Sequence, residues 1–286
     1  MKLLTFGHGY AARALAKRLS RDGWTLTAIA RDAERAEDLR AEGIDAAAGD
    51  DHAAVVAALK GVSAILISSP PTPEGCPGLN TLVPALAEAN AFPDWIGYLS
   101  TTGVYGDLGG GWAFETSPLP AISPEGARRV AAERDWMQVG RGMGLTVQAF
   151  RLPGIYGPGR SAFDRLRDGA ARRMVKPGQV FSRIHVDDIA SALAASIAAP
   201  RAGRRYNLCD DEPCAPQDVV LHAAELLGME PPPVTLFDPD KLPAASLRFY
   251  AESKRVSNAR AKAELGWLPA FPTYREGLRA VLAAGG

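Results

Sequence analysis

The chain has 286 residues, 47% hydrophobic and 22% charged, an ordinary composition for a globular protein large enough to bury a sizeable core. Its 32 basic and 32 acidic residues cancel, so bulk charge gives no ground for expecting nucleic acid or an anionic membrane surface as a partner. No apolar run reaches the roughly 18 residues a membrane span needs. The opening Met-Lys-Leu-Leu breaks at Gly7 before any signal-peptide core. Three cysteines (Cys76, Cys209, Cys214) lack C-x-x-C spacing, and the four histidines are scattered. The expectation is a cytoplasmic protein with reduced thiols and no metal.

In chain order, Lys2-Leu3-Leu4-Thr5-Phe6 reads as a buried strand. The turn Gly7-His8-Gly9-Tyr10-Ala11-Ala12 follows, then a run of helix formers at 14–19 stopped by Asp22-Gly23, then a second apolar strand at 24–30. A G-x-G-x-x-A turn between a strand and a helix is a dinucleotide-binding unit. Gly7 permits the tight turn, Gly9 lets a pyrophosphate approach the backbone, and Ala12 is small enough for close helix–strand packing. The free N–H groups of the new helix, Tyr10 at its start, face the phosphates.

Residues 32–42 read as a charged helix ended by Gly43, 44–48 as a weak strand closed by Gly49-Asp50, and 52–59 as a helix. A β-branched strand at 62–67 ends at Ser68-Ser69-Pro70-Pro71. A helix at 79–89 and a strand at 95–99 lead to Ser100-Thr101-Thr102-Gly103-Val104-Tyr105-Gly106. The Gly/Pro-rich stretch 107–124 reads as loop, 125–139 as a helix and 145–150 as a strand. Alternation of this kind implies an α/β fold: a Rossmann-type doubly wound parallel sheet with its ligands at the carboxyl ends of the strands. Beyond Gly159 the pattern is irregular, with a basic helix at 162–173, an Ala-rich helix to 199, a short strand at 206–208, a helix at 219–227 and a last helix from Tyr274. The expected division is a dinucleotide-binding domain at 1–158, rejoined by 184–208, and a smaller C-terminal substrate lobe from 159–183 and 209–286.

These segments together resemble the short-chain dehydrogenase/reductase superfamily in its extended or atypical branch, the NAD-dependent epimerase/dehydratase family. The glycine turn, Gly49-Asp50, the run from Leu99 to Gly106 and Arg151-Leu152-Pro153-Gly154-Ile155-Tyr156-Gly157-Pro158-Gly159 carry the resemblance. It continues through Ile184-His185-Val186-Asp187-Asp188-Ile189-Ala190, Tyr206-Asn207-Leu208 and Glu264-Leu265-Gly266-Trp267. By that resemblance Thr101 is the catalytic Ser/Thr, Asp50 lies by the adenine, Ser68, Ser69 and Pro70 run along the cofactor, and Pro153 to Ile155 pass beside the nicotinamide. It also implies a small-molecule substrate and a monomer or a homodimer, the latter formed through the helices at 79–89 and 125–139.

Two departures stand out. Gly7-His8-Gly9 is one residue tighter than the extended pattern. In addition, the helix that should carry a Tyr-x-x-x-Lys pair has Glu125 and Arg129 at those places, so the pair is absent. Tyr105 and Tyr156 are phenols that could substitute, and Glu125 and Arg129 are expected to form an i,i+4 ion pair. A Glu125 carboxylate would be a poor proton donor, which predicts cofactor binding with little carbonyl reduction. The second strand ends at Arg31 rather than an acidic residue, and a guanidinium there suits a 2′-phosphate. NADP is therefore the expected cofactor, with NAD possible. The alternative to an oxidoreductase or epimerase-like enzyme is a non-catalytic NADP(H)-binding redox sensor or regulatory module.

Overall fold

The computed structural model describes residues 1–285 and, at 244–246, the backbone only. Gly286, the last residue of the expected lobe, lies outside the described residues. Strands and helices alternate from the start: β1 (Lys2–Phe6), α1 (Tyr10–Ser20), β2 (Thr25–Ala30), α2 (Ala33–Ala41), β3 (Asp45–Ala48), α3 (His52–Ala58), β4 (Ala64–Ile67), α4 (Pro77–Glu88) and β5 (Trp95–Thr101). A 3-10 turn at Thr102–Tyr105 and a two-residue strand β6 (Trp112–Ala113) precede the long helix α5 (Pro124–Met143) and β7 (Val147–Leu152). Then come β8 (Gly154–Tyr156), α6 (Ala162–Arg167), β9 (Arg173–Val175), β10 (Arg183–His185), α7 (Val186–Ala198) and β11 (Arg205–Asn207). The chain closes with α8 (Pro216–Leu227), β12 (Val234–Leu236), α9 (Ala244–Tyr250), β13 (Arg255–Val256), α10 (Ala259–Leu265) and α11 (Tyr274–Ala283).

Seven strands form one parallel sheet in the order β11-β7-β5-β4-β1-β2-β3. Alternation along β1 sends Leu3 into the core under α1 and α7, and Leu4 and Phe6 into the core under α4 and α5. Both faces are covered, which is why these strands are apolar throughout. On α1 the buried residues Ala11, Ala12, Leu15 and Leu19 form the stripe that packs on the sheet. After β3 the chain crosses back to β4 on the other side of β1. The β1–β4 gap is therefore the topological switch point, where such sheets open a crevice.

Some local expectations change. The basic helix foreseen over 162–173 stops at Arg167; it starts on a Ser161–Asp164 capping box, Gly169 turns the chain at φ +64°, and 173–175 becomes β9, parallel to β12. The 107–124 loop contains β6, which pairs with β13. Asp32 is the N-cap of α2, accepting from Arg35 N at 2.9 Å. No helix of the described residues is long and apolar enough to cross a membrane.

Candidate active site

The switch point is built by the glycine turn and the end of β4. Gly7 has φ +80°, and a Cβ there would sit 3.1 Å from Ser68 Oγ and from Ser69 N, so the close approach needs glycine. Ser68 Oγ donates to Gly7 O at 2.7 Å, locking the two loops together. Gly9 is the N-cap of α1 with no side-chain cap, and a Cβ there would meet nothing within 4 Å. The first turn of α1 carries no acidic residue. Open space before uncapped N–H groups suits a pyrophosphate. Ala12 is fully buried beneath this turn, and among the described residues Ser69 Oγ is buried without a partner. Tyr10 stands at the other side, its hydroxyl donating to Pro158 O at 2.9 Å.

At the far rim, Arg31 has an 85% exposed side chain and pairs with Asp32 at 2.7 Å. Arg35 shares this edge, bonded to Asp38 at 3.1 Å, and both Arg35 and Arg13 approach Glu42. Asp50 is exposed at the end of β3, beside Gly49, whose N donates to Ala30 O at 2.8 Å. His8 lies inward, its Nδ1 3.1 Å from Thr5 Oγ1. Burial first, and then the Arg13 charge, lower its pKa to about 4, so the imidazole is neutral at physiological pH.

Two cavities meet beyond the ends of β5 and β7. One, of about 230 Å³, is lined by Pro70, Pro71, Thr101, Glu125 and Arg129. The other, of about 560 Å³, takes Thr101, Glu125, Pro153 and Gly154 on the sheet side. Its opposite wall comes from the lobe: Phe181, Ser182, Arg248, Phe249, Glu252 and Lys254. Thr101 Oγ1 accepts from Gly103 N at 3.1 Å, which leaves the hydroxyl hydrogen available to a ligand. Ile155 does not line either cavity; it packs against the core next to the sheet.

The residues expected on α5 behave differently from one another. Glu125 is 63% exposed and lies 3.6 Å from Arg128, not Arg129. Arg129 donates to Leu99 O and rests over the Tyr98 ring at 5.7 Å, so its guanidinium is tied to β5. Tyr105 is not at a cavity wall. It is fully buried, donates to Asn207 Oδ1 at 2.7 Å and accepts from Arg151 at 2.9 Å, and burial raises its pKa. Its hydroxyl is a structural link beneath the site. Tyr156 is buried among lobe residues and outside both cavities.

The lobe wall is what the sequence reading missed. A Tyr-x-x-x-Lys spacing does occur in the chain, at Tyr250 and Lys254, away from α5. Tyr250 packs its ring against Phe181, Phe237 and Phe249, whereas Lys254 reaches the cavity. That spacing was the available signal; the aromatic pair Phe181–Phe249, with centroids 4.5 Å apart and planes 26° apart, had none. Among the described residues, no group of three or more His, Cys, Asp or Glu is placed to hold a metal.

A doubly wound sheet with a glycine phosphate turn at its switch point and a lobe across the strand ends defines a dinucleotide-binding protein. Residues 7–93 match the model of NAD(P)H-binding proteins, and 78–209 match that of the NAD-dependent epimerase/dehydratase family. Protein YeeZ of Escherichia coli (strain K12) is 30% identical over 246 residues, 81% of this chain and 85% of that protein. A 3-diazoavenalumate denitrifying reductase of a Streptomyces species is 31% identical over 180 residues, 57% of each chain. The solved structure of a functionally unknown conserved protein from Silicibacter pomeroyi DSS is 47% identical and has a TM-score of 0.90, covering 99% of this chain and 98% of that one. The chain belongs to the NAD-dependent epimerase/dehydratase family.

Proposed function

We propose that the chain is an NADP-dependent oxidoreductase or epimerase-like enzyme acting on a small hydroxylated or nucleotide-linked substrate. One observation carries this reading: the lobe cavity and the smaller cavity beside Pro70 and Arg129 share Thr101 and Glu125 as a common wall. A substrate and a nicotinamide placed in them would meet at the end of β5. When bound, the cofactor supplies or accepts a hydride there. The N–H groups of the first turn of α1 would hold the pyrophosphate, and the Thr101 hydroxyl would donate to a substrate oxygen. The relatedness to a reductase supports the same reading.

Arg31, with Arg35 and Arg13 nearby, makes this a site for a 2′-phosphate. NADPH is expected to bind more tightly than NADH by tenfold or more, about 1.4 kcal/mol, in a fluorescence titration. Arg31→Ala should erase that difference. Equal or tighter NADH binding by the wild type would sink the NADP assignment.

One observation favours the second reading, a non-catalytic NADP(H)-binding redox sensor or regulatory module. Where the family pattern puts tyrosine and lysine, this chain has an exposed Glu125 and an Arg129 anchored to Leu99 O. NADPH binding without oxidation in the presence of aldehydes, ketones or 4-keto sugars would select it.

A further inference from the structure

Lys254 is a buried ammonium with unspent donor capacity at the wall of the substrate cavity. Its side chain is 8% exposed and pairs with the Glu252 carboxylate, itself 18% exposed. Nζ also donates to Gly106 O at 2.6 Å. An ammonium has three N–H groups. Among the described residues Glu252 and Gly106 take two of them, and the third has no protein acceptor. The charge is compensated, as burial requires, while one donor is left for a ligand.

The segment is held firmly. Ser253 N donates to Asp107 Oδ1 at 2.7 Å, Lys254 N to Val180 O at 3.2 Å, and Gln179 Nε2 to Glu252 O at 2.6 Å. Lys254 is thus fixed to the loop after β5 and to the strand-like stretch before β10, not left to wander as a surface lysine would. Across the cavity, Thr101 has a hydroxyl hydrogen to offer, and Glu125, when ionised, can only accept.

We propose that Lys254, contributed by the lobe, is the catalytic acid of this site, and that the substrate is a carbonyl compound with a flat apolar substituent lying on Phe181 and Phe249. The proposal rests on the reductase reading. As the carbonyl carbon gains a hydride, a C–H bond forms and the π pair moves to oxygen. That oxygen takes a proton from Nζ, whose N–H bond breaks to leave a neutral amine. The amine regains a proton from solvent by way of Glu252. The carbonyl is reduced by two electrons, the dihydronicotinamide is oxidised by two, and one solvent proton is consumed. Thr101 donates a hydrogen bond to the same oxygen and gives up no proton. Slow reduction is the expectation only where Glu125 is the nearest acid.

The test uses the full chain with NADPH and benzaldehyde, cinnamaldehyde and acetophenone. Wild type should reduce at least one of them. Lys254→Met should lower kcat 100-fold or more, in the range typical of a lost general acid, with the NADPH Kd unchanged within twofold. Lys254→Arg keeps a cation that can reach Gly106 O but does not release its proton. It should lose at least tenfold in kcat with the NADPH Kd within twofold of wild type, a loss confined to turnover rather than cofactor binding. Should the methionine variant fail to bind NADPH, the arginine variant decides alone. Wild-type kcat in either variant that binds NADPH overturns the assignment and leaves the reductase reading standing. Turnover lost in Glu125→Gln but kept in Lys254→Met would return the role to Glu125. Absence of wild-type turnover on all three carbonyls overturns both.

Discussion

Glu133 on α5 gathers the ends of three sheet strands at a single carboxylate. It is 1% exposed, accepts from Ser100 Oγ at 2.6 Å and from Arg151 at 3.0 and 2.7 Å, and lies 3.4 Å from Arg205. Arg151, equally buried, continues the network to the Tyr105 hydroxyl. Removing one partner of a buried pair strands the other charge. Glu133→Gln should therefore cost about 3–5 kcal/mol, read as a lower urea midpoint; an unchanged midpoint would show the network to be idle. Asp210, 2% exposed after β11, behaves differently. Burial raises its carboxyl pKa from 3.8 to about 8, with Arg183 opposing. The folded state thus binds the proton more tightly than the unfolded one. The associated stability is full below pH 3.8 and is lost as pH rises through about 8. Asp210→Asn should be more stable than wild type at pH 9, with the gap closing towards pH 4. Identical melting of the two at pH 9 would contradict this.

At the scale of elements, the start of α1 separates fold from function. The Cβ of Gly9→Ala would enter open space, so the fold should bear it at a cost of ~1 kcal/mol or less. The same methyl lies where a phosphate would approach, and NADPH affinity should drop tenfold or more. A variant that binds NADPH like wild type would move the pyrophosphate elsewhere. This unit was legible in the sequence because everything it needs is local: a strand, two glycines, a small residue and a helix within the first thirty residues. The lobe wall was not. Phe181, Phe249 and Lys254 face Thr101 only because β6 pairs with β13 and the 178–180 stretch bonds to 252–254. No periodicity announces such a meeting. Tyr105 was misplaced for the same reason, since the partners that hold its hydroxyl, Arg151 and Asn207, are 46 and 102 residues away.

On the scale of the whole molecule, the lobe and the sheet are interleaved. Asp188 on α7 accepts from Ala270 N and Phe271 N, and Trp267 packs into the core under α1 while its Nε1 donates to Ser191 Oγ at 2.9 Å. The expected result is a single cooperative transition, with tryptophan fluorescence and far-UV circular dichroism coinciding across urea. Two separated transitions would mean that the lobe unfolds on its own. The path of the chain also sets an order of birth. Every strand of the seven-stranded sheet but β11 has been made once Leu152 is in place. Lys254 follows about 100 residues later, on the order of 5–20 s at ordinary translation speeds. Six of the seven strands of the main sheet and the glycine turn are thus made well before the Lys254 wall of the larger cavity exists.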